Sequence, residues 1–240
     1  MSDNQSVEIF NSWDLYDNIV RRNWMRHKEM ADFIHRVAGE LTTSGLSILD
    51  LGCGDGAMAR NGLSGCPIQK YVGVDLSQDA LRHLKQSQGL GDDPQVIHGD
   101  LAESIAKLPA DGFDLVLASY SIHHFPRDQK QSILDHVRRV LRAGGRFVWI
   151  DIACLDGEDR SGYVSRIEHE IRTHWKPMSD QVCQETLDHI RNYDFPEQQG
   201  WMIDAWHKAS LEAGEKLQSA VSKGKKIGFR DTFYVGLCLD

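Results

Sequence analysis

Between residues 46 and 153 the chain alternates short, almost continuously apolar runs with longer stretches whose apolar positions recur at helical spacing. The runs predict strands over 46–51, 70–75, 94–98, 113–119 and 145–153, and the stretches between them predict helices near 56–63, 77–88, 101–106 and 127–142. Strands that read apolar at nearly every position are covered on both faces, so the alternation predicts a parallel sheet between two helical layers. Upstream, Leu15, Ile19, Trp24, Met30, Phe33, Ile34, Val37 and Leu41 fall at mixed helical spacings. They predict one or two amphipathic helices before the first strand, ended by Thr42-Thr43-Ser44-Gly45. Downstream the rhythm breaks. Residues 155–198 offer two helical segments, Tyr163–Trp175 and Asp180–Asn192, split by Lys176-Pro177-Met178-Ser179 and closed by Phe195-Pro196. A helix over Trp201–Ala213 and two terminal strands over 215–222 and Arg230–Leu239 complete the pattern.

The first predicted strand runs straight into Asp50-Leu51-Gly52-Cys53-Gly54-Asp55-Gly56-Ala57. Glycines placed between a strand and a helix let the backbone turn tightly and approach a ligand with no Cβ in the way. Gly52, Gly54 and Ala57 satisfy the G-x-G-x-x-G/A spacing of dinucleotide sites, and Asp75 lies at about the 20-residue separation expected of a ribose-binding acid. A dinucleotide, however, brings a pyrophosphate to this turn. Asp50 and Asp55 oppose one, with no basic neighbour before Arg60. A cationic cofactor without phosphate, such as S-adenosylmethionine, suits the acids better than NAD.

The ordered motifs carry that reading further. Val72-Gly73-Val74-Asp75-Leu76-Ser77, His98-Gly99-Asp100-Leu101, Phe113-Asp114-Leu115-Val116-Leu117-Ala118-Ser119 and Leu141-Arg142-Ala143-Gly144-Gly145-Arg146-Phe147 follow the glycine turn in sequence. Together the five segments resemble the Rossmann-like (class I) S-adenosylmethionine-dependent methyltransferases of small-molecule type, closely over about residues 46–151. The resemblance implies a three-layer α/β sandwich around a mostly parallel seven-stranded sheet with its last strand antiparallel. No Pro/Gly/Ser-rich linker divides the chain, so a single domain is expected: N-terminal helices at 1–41, a cofactor core at 46–154, and, as the resemblance implies, a helical lid insertion at 155–198 and a final helix with edge strands at 199–240. The cofactor would be S-adenosylmethionine and the product S-adenosylhomocysteine. Its contacts would come from Asp50, Gly52, Cys53, Gly54, Asp75, Leu76, Asp100, Leu101 and Ser119.

Composition narrows the acceptor and the setting. A formal net charge of -8 over 240 residues disfavours a nucleic-acid partner, which needs a basic face. The one basic cluster, Lys223-Gly224-Lys225-Lys226, reads as a solvated turn. Cys53, Cys66, Cys154, Cys183 and Cys238 are odd in number and lack C-x-x-C spacing, which suggests neither a disulfide framework nor a zinc site. The polar start Met1-Ser2-Asp3-Asn4-Gln5 lacks a secretory pattern, and no apolar run approaches the ~20 residues that cross a bilayer. The expectation is a cytoplasmic protein, monomeric or homodimeric, with a small-molecule acceptor and no membrane partner.

Several residues admit both a chemical and a plain role. Asp75 can accept from a ribose diol or cap the helix beginning near Ser77. Asp50 can face the cofactor's amino group or hold the glycine turn, and Asp100 can touch the cofactor or serve as a turn residue. His123 and His124 follow the fourth strand, where the methyl should lie. Imidazole has the pKa for proton abstraction near neutrality, so one of them is the candidate base, against a purely loop-bracing role. Their spacing alone does not suggest a metal. In Arg166–Trp175 the pairs Arg166/Glu170 and Glu168/Arg172 read as a salt-bridged solvent face, with His169, His174 and Trp175 as the rival pocket lining. Trp13, Tyr16, Trp24, Trp201 and Trp206 read as packing residues. An amine acceptor would draw on Asp151, Glu168 and Glu170. The same motifs also fit a non-catalytic S-adenosylmethionine-binding or partner-supporting module, or a methyltransferase acting on a protein.

Overall fold

The structure, a computed structural model, describes residues 18–41, 44–212 and 229–240. After a helical turn at 18–21 come α1 (His27–Glu40), β1 (Leu46–Leu51), α2 (Ala57–Gly62), β2 (Ile68–Asp75), α3 (Gln78–Gln86), β3 (Gln95–His98) and α4 (Leu101–Lys107). There follow β4 (Phe113–Ser119), a 3-10 turn (Ile122–His124), α5 (Arg127–Val140), β5 (Leu141–Cys154), α6 (Arg160–His174) and α7 (Asp180–Tyr193). The chain closes with β6 (Glu197–Gln198), α8 (Gln199–Glu212), β7 (Phe229–Arg230) and β8 (Tyr234–Leu239).

The strands form one sheet in the order β3-β2-β1-β4-β5-β8-β7. β1 to β5 run parallel, and β8 lies antiparallel to both β5 and β7. The order reverses at β1, between β2 and β4, which leaves a crevice beyond the carboxyl ends of these strands. Successive side chains on a strand point to opposite faces. Ile48, Leu115, Leu117, Val148 and Ile150 accordingly join one core with Ile34, Val37, Leu81 and Leu84. Leu49, Val116, Phe147 and Trp149 join the other with Ile105, Ile133, Val137 and Trp206. Each such side chain, fully buried, contributes about 1.5–3 kcal/mol. α6 and α7 extend the first core through Tyr163, Ile167, Ile171 and Leu187, and Trp175 stacks on Trp24 at 5.1 Å.

Helix starts follow local chemistry: the side chains of Ser77, Asp100, Asp159 and Ser179 accept from backbone N–H groups of α3, α4, α6 and α7. A cap of this kind contributes about 0.5–2 kcal/mol. The fifth strand begins at Leu141 rather than 145, because Leu141 already pairs with Phe113 and Gly144, at φ +76°, carries the irregularity that follows. The two-residue β6, parallel to the end of β5, was not foreseen. On α6, Arg166 pairs with Glu158 rather than Glu170, which instead takes His174 at 2.8 Å. Arg166 is turned toward the sheet edge, donating to the carbonyls of Ala153 and Thr232. The predicted strand 215–222, the basic cluster Lys223–Lys226, Trp13 and Tyr16 lie outside the described residues.

Two glycines test the packing of α1. A Cβ on Gly62 would stand 2.6 Å from Ile34 Cβ, whereas one on Gly39 would meet nothing within 4 Å. Gly62→Ala is expected to destabilise the fold by about 1–3 kcal/mol through overpacking. Gly39→Ala, on the exposed face of α1, is expected to stabilise it by about 0.4–1 kcal/mol. Denaturant unfolding of the two variants beside the parent checks both signs.

Candidate functional site

The sequence-predicted site residues gather along the carboxyl ends of β1, β2, β3 and β4. The glycine turn leaves β1 with Gly52, Gly54 and Gly56 at φ +71°, +53° and +76°. A Cβ on Gly52 would fall 2.3 Å from Ser121 Cβ, so both the angle and the space require glycine there. Over Gly54 the space within 4 Å is open, which leaves its backbone accessible from above. The turn is strapped to β2: Gly52 and Cys53 donate to Val74 O at 2.8 and 3.0 Å, and Gly54 N–H donates to Asp75 Oδ2 at 2.7 Å. Asp75 Oδ1 accepts from Ser77 N–H at 2.8 Å, while Ser77 itself caps α3. Burial raises the Asp75 pKa and these backbone bonds oppose the rise.

Holding the turn, one of the two tasks considered for Asp50, is performed by Asp75. Asp50 is buried and accepts from the Tyr71 hydroxyl at 2.7 Å. Burial pushes its pKa up to about 7; the Tyr71 bond opposes the rise, and the Asp75 and Asp55 charges add to it. Asp55 accepts from Ala57 N–H and lies 3.5 Å from Arg60, so that acid carries its own counterion and opposes a phosphate less than the sequence implied. Cys53 packs its sulfur over Gly73, where burial first and the nearby Asp50 and Asp75 next drive the thiol pKa far above its usual range.

On the β2–β3 side, Leu76 is 42% exposed, the most open of the large apolar side chains described. It lines a depression of about 330 Å³ with Asp100, Ala102, Glu103, Gln129 and Ser132. Asp100 caps α4 through Glu103 N–H at 3.0 Å, and Leu101 is buried beneath. At the end of β4 the Ser119 hydroxyl is buried and makes no hydrogen bond, an arrangement that costs free energy unless a ligand supplies the partner. Next to it Tyr120, at φ +56°, donates to Met25 O and packs 5.3 Å from the His27 ring. His27 Nδ1 is likewise buried without a partner, and burial lowers its pKa to about 4.

The two histidines are brought into a buried polar cluster. His123 Nδ1 stands 2.5 Å from Asp151 Oδ1, and its backbone N–H donates to Asp151 Oδ2 at 3.0 Å. Asp151 also accepts from Trp149 Nε1 and Ile152 N–H, each at 3.0 Å. Burial alone would lower the His123 pKa, but Asp151 and Asp194 outweigh it and the pKa is raised. His124, with Nδ1 at 3.3 Å from Tyr193 O, is driven the other way by burial and by the neighbouring His123 and His189. Sequence reasoning missed His27, His189 and Asp194. Each reaches the site from a helix or helix end far along the chain, and no spacing signal marks that contact. Asp151, Glu168 and Glu170, considered as partners for an amine, are occupied: Asp151 as above, Glu168 by Arg172 and Arg191, Glu170 by His174.

A family model for the methyltransferase domain matches residues 48–145, the span from β1 to the start of β5 that carries the whole glycine turn and Asp75. Over that span the chain is similar to the methyltransferase domain. Among relatives, an uncharacterised methyltransferase of Schizosaccharomyces pombe is 31% identical over 129 residues, 51% of this chain and 48% of that protein. The fatty-acid O-methyltransferase of Mycolicibacterium smegmatis is 30% identical over 117 residues, 49% of this chain and 41% of the relative. The chain thus spans about half the length of these curated relatives. The solved plantazolicin methyltransferase BpumL, in complex with S-adenosylhomocysteine and a triazolic analogue, shares the methyltransferase fold. Its TM-score is 0.63 at 13% identity, over 97% of this chain and 93% of that one. His189 and Asp194 lie outside the matched span.

The buried Asp50 gives this site a pH signature. A carboxyl whose folded pKa exceeds its unfolded value stabilises the fold in protonated form, fully below about pH 4 and less as pH rises. For Asp50 the loss is complete once the pH has passed its folded value of about 7. Asp50→Asn removes this dependence. The melting temperature of the variant is expected to gain on the parent steadily between pH 4 and pH 7, read by calorimetric scans across that range.

Proposed function

We propose that this chain transfers the methyl group of S-adenosylmethionine to an oxygen or nitrogen of a small-molecule acceptor and releases S-adenosylhomocysteine. The reading rests above all on Asp75, a carboxylate at the end of β2 that holds Gly54 by one oxygen and Ser77 by the other. Each oxygen keeps a lone pair for a ribose hydroxyl. Gly54 beneath open space admits the amino-acid portion. Leu76 and Asp100 border the depression suited to the adenine, Leu101 lies buried beneath it, and the Ser119 hydroxyl supplies a polar contact that the protein itself leaves unmet. Cys53 and Gly52 contribute backbone shape rather than side-chain chemistry.

The cofactor, when bound, supplies a methyl group on a sulfonium, so that the leaving group is a neutral thioether. The chain's remaining tasks are to align the acceptor, exclude water and let the acceptor's proton depart. Alignment and exclusion are assigned to α6 and α7 as a lid, because α7 ends on the turn after β4, where Phe195 N–H donates to His123 O at 2.8 Å. Proton removal is assigned to one of His123 and His124. An oxygen acceptor is favoured over an amine, since Asp151, Glu168 and Glu170 are already paired within the protein. The acidic balance of -8 favours a small acceptor over a nucleic acid. A reaction with labelled cofactor and a size-fractionated cell extract separates small acceptors from proteins. Label confined to polymers would overturn the small-molecule reading, and no label anywhere would favour a binding module.

Asp75→Asn keeps an acceptor for Gly54 but removes the charge and one acceptor oxygen. Calorimetric titration with S-adenosylhomocysteine is expected to find binding weakened by about 10–100-fold, the equivalent of one charge-assisted hydrogen bond. Parent protein that binds neither S-adenosylmethionine nor its product would refute the donor assignment.

A further inference from the structure

A second polar centre lies beyond β4 and draws its groups from distant segments: His123 and His124 from the 3-10 turn, His189 from α7, and Asp194 just after it. Asp194 Oδ1 is buried and accepts no hydrogen bond. His123 Nε2, His189 Nε2 and His124 Nδ1 stand 3.6, 3.7 and 3.8 Å from it. These separations exceed the ~2.7–3.2 Å of N–H···O hydrogen bonds. They are close to what ligands sharing one ion require, since atoms each about 2.0–2.1 Å from a tetrahedral ion lie roughly 3.3 Å apart.

The orientation of His123 sharpens the point. Its Nδ1 is held by Asp151, and Asp151 is fixed in turn by Trp149 and Ile152. With the Nδ1 proton donated to Asp151, Nε2 carries a lone pair and faces a carboxylate oxygen. In the neutral ring two acceptors then face each other in a buried site and repel unless a proton or a metal cation lies between them. A carboxylate behind an imidazole is also the pairing that fixes the tautomer and direction of metal-ligating histidines.

We propose that His123, His124 and Asp194, each of which offers one ligand atom within 4.8 Å of the others, bind a divalent transition-metal ion of the zinc type through His123 Nε2, His124 Nδ1 and Asp194 Oδ1. Imidazole and carboxylate donors suit zinc and its neighbours in the transition series better than calcium or magnesium. Ligation would take His124 Nδ1 from its long 3.3 Å contact with Tyr193 O. His189 borders the site, with Nε2 at 3.7 Å from the same Asp194 oxygen. Three protein ligands leave a fourth position open on the side of His124, whose side chain is 26% exposed while those of His123 and Asp194 are enclosed.

The role of the ion rests on the proposed methyl transfer, although its binding does not. With the ion bound, the two imidazoles act as its ligands, and polarisation by the ion replaces the proton removal assigned above to one of them. An acceptor hydroxyl at the open position would be polarised so that its proton leaves to water near neutral pH. Its oxygen lone pair then forms the bond to the methyl carbon, while the electron pair of the S–CH₃ bond returns to sulfur.

The test uses the full chain, freed of metal by a chelator, and titrates it with Zn²⁺ by calorimetry and with Co²⁺ by visible absorption. One equivalent should bind, with the intense bands of four-coordinate Co²⁺. His124→Asn, at the exposed edge, is expected to fold even if Asp194→Asn does not. Each should lower affinity by more than the ~10–100-fold typical of losing an outer partner, and Asp151→Asn should fall within that range. S-adenosylhomocysteine binding, measured separately, should persist in His124→Asn. The site is overturned if the folded parent takes up neither ion, if His124→Asn binds as tightly as the parent, or if nitrogen NMR finds the His123 ring doubly protonated with Zn²⁺ in excess. Metal uptake without binding of S-adenosylmethionine would instead sink the methyl-transfer reading and leave the site standing.

Discussion

The hydrogen bond from Gly54 N–H to the Asp75 carboxylate is the constraint on which the rest of the crevice depends. Three positive-φ glycines in five residues give the β1–α2 turn little intrinsic preference for one shape, because glycine loses the most conformational freedom on folding. Asp75 supplies what the turn lacks. It is rigid itself, closing a strand paired on both sides and bound by Ser77 N–H, so the turn inherits its position from the sheet. Desolvation of the carboxylate opposes this arrangement, and two backbone donors offset it. The same two bonds leave each carboxylate oxygen with a lone pair that they do not use.

Where a residue's role follows from its place on a strand, the sequence was readable. Apolar runs of near-continuous character marked β1, β2, β4 and β5, and the switch to helical spacing marked the layers around them. The helices predicted from near Ser77 and from Asp180 begin there, capped by the side chains of Ser77 and Ser179. Edges were less legible. The start of β5 lies in a segment with the composition of a turn, and only its pairing with Phe113 extends the strand to Leu141. β6 consists of two polar residues whose strand character comes entirely from its neighbour.

Charges were the harder case, because their meaning is set by partners rather than by type. Asp50, Asp55 and Asp75 are equivalent letters near one turn, yet one is buried against a tyrosine, one is paired with Arg60 and one straps the backbone. The acids of α6 show the same limit: Glu168 met its expected Arg172, while Arg166 was drawn to Glu158 by carbonyls on the adjoining sheet edge. Sequence periodicity fixes which residues share a helix face, but it is silent about what that face meets.

The two polar centres are held by independent sets of bonds. The donor-side turn is internal to the matched span 48–145. The histidine cluster is completed by Asp194, whose backbone carbonyl is bound by Arg160 at 2.6 Å and whose neighbour Phe195 is bound through its carbonyl by the buried Lys130. Residues after β5 therefore set the geometry beyond β4, through bonds that do not touch Asp75 or Gly54. A chain built this way can alter 155–198, and with it the polar cluster beyond β4, while the turn at Gly54 stays intact. That separation is the physical reason why likeness over the shared core identifies a methyl donor more readily than a methyl acceptor.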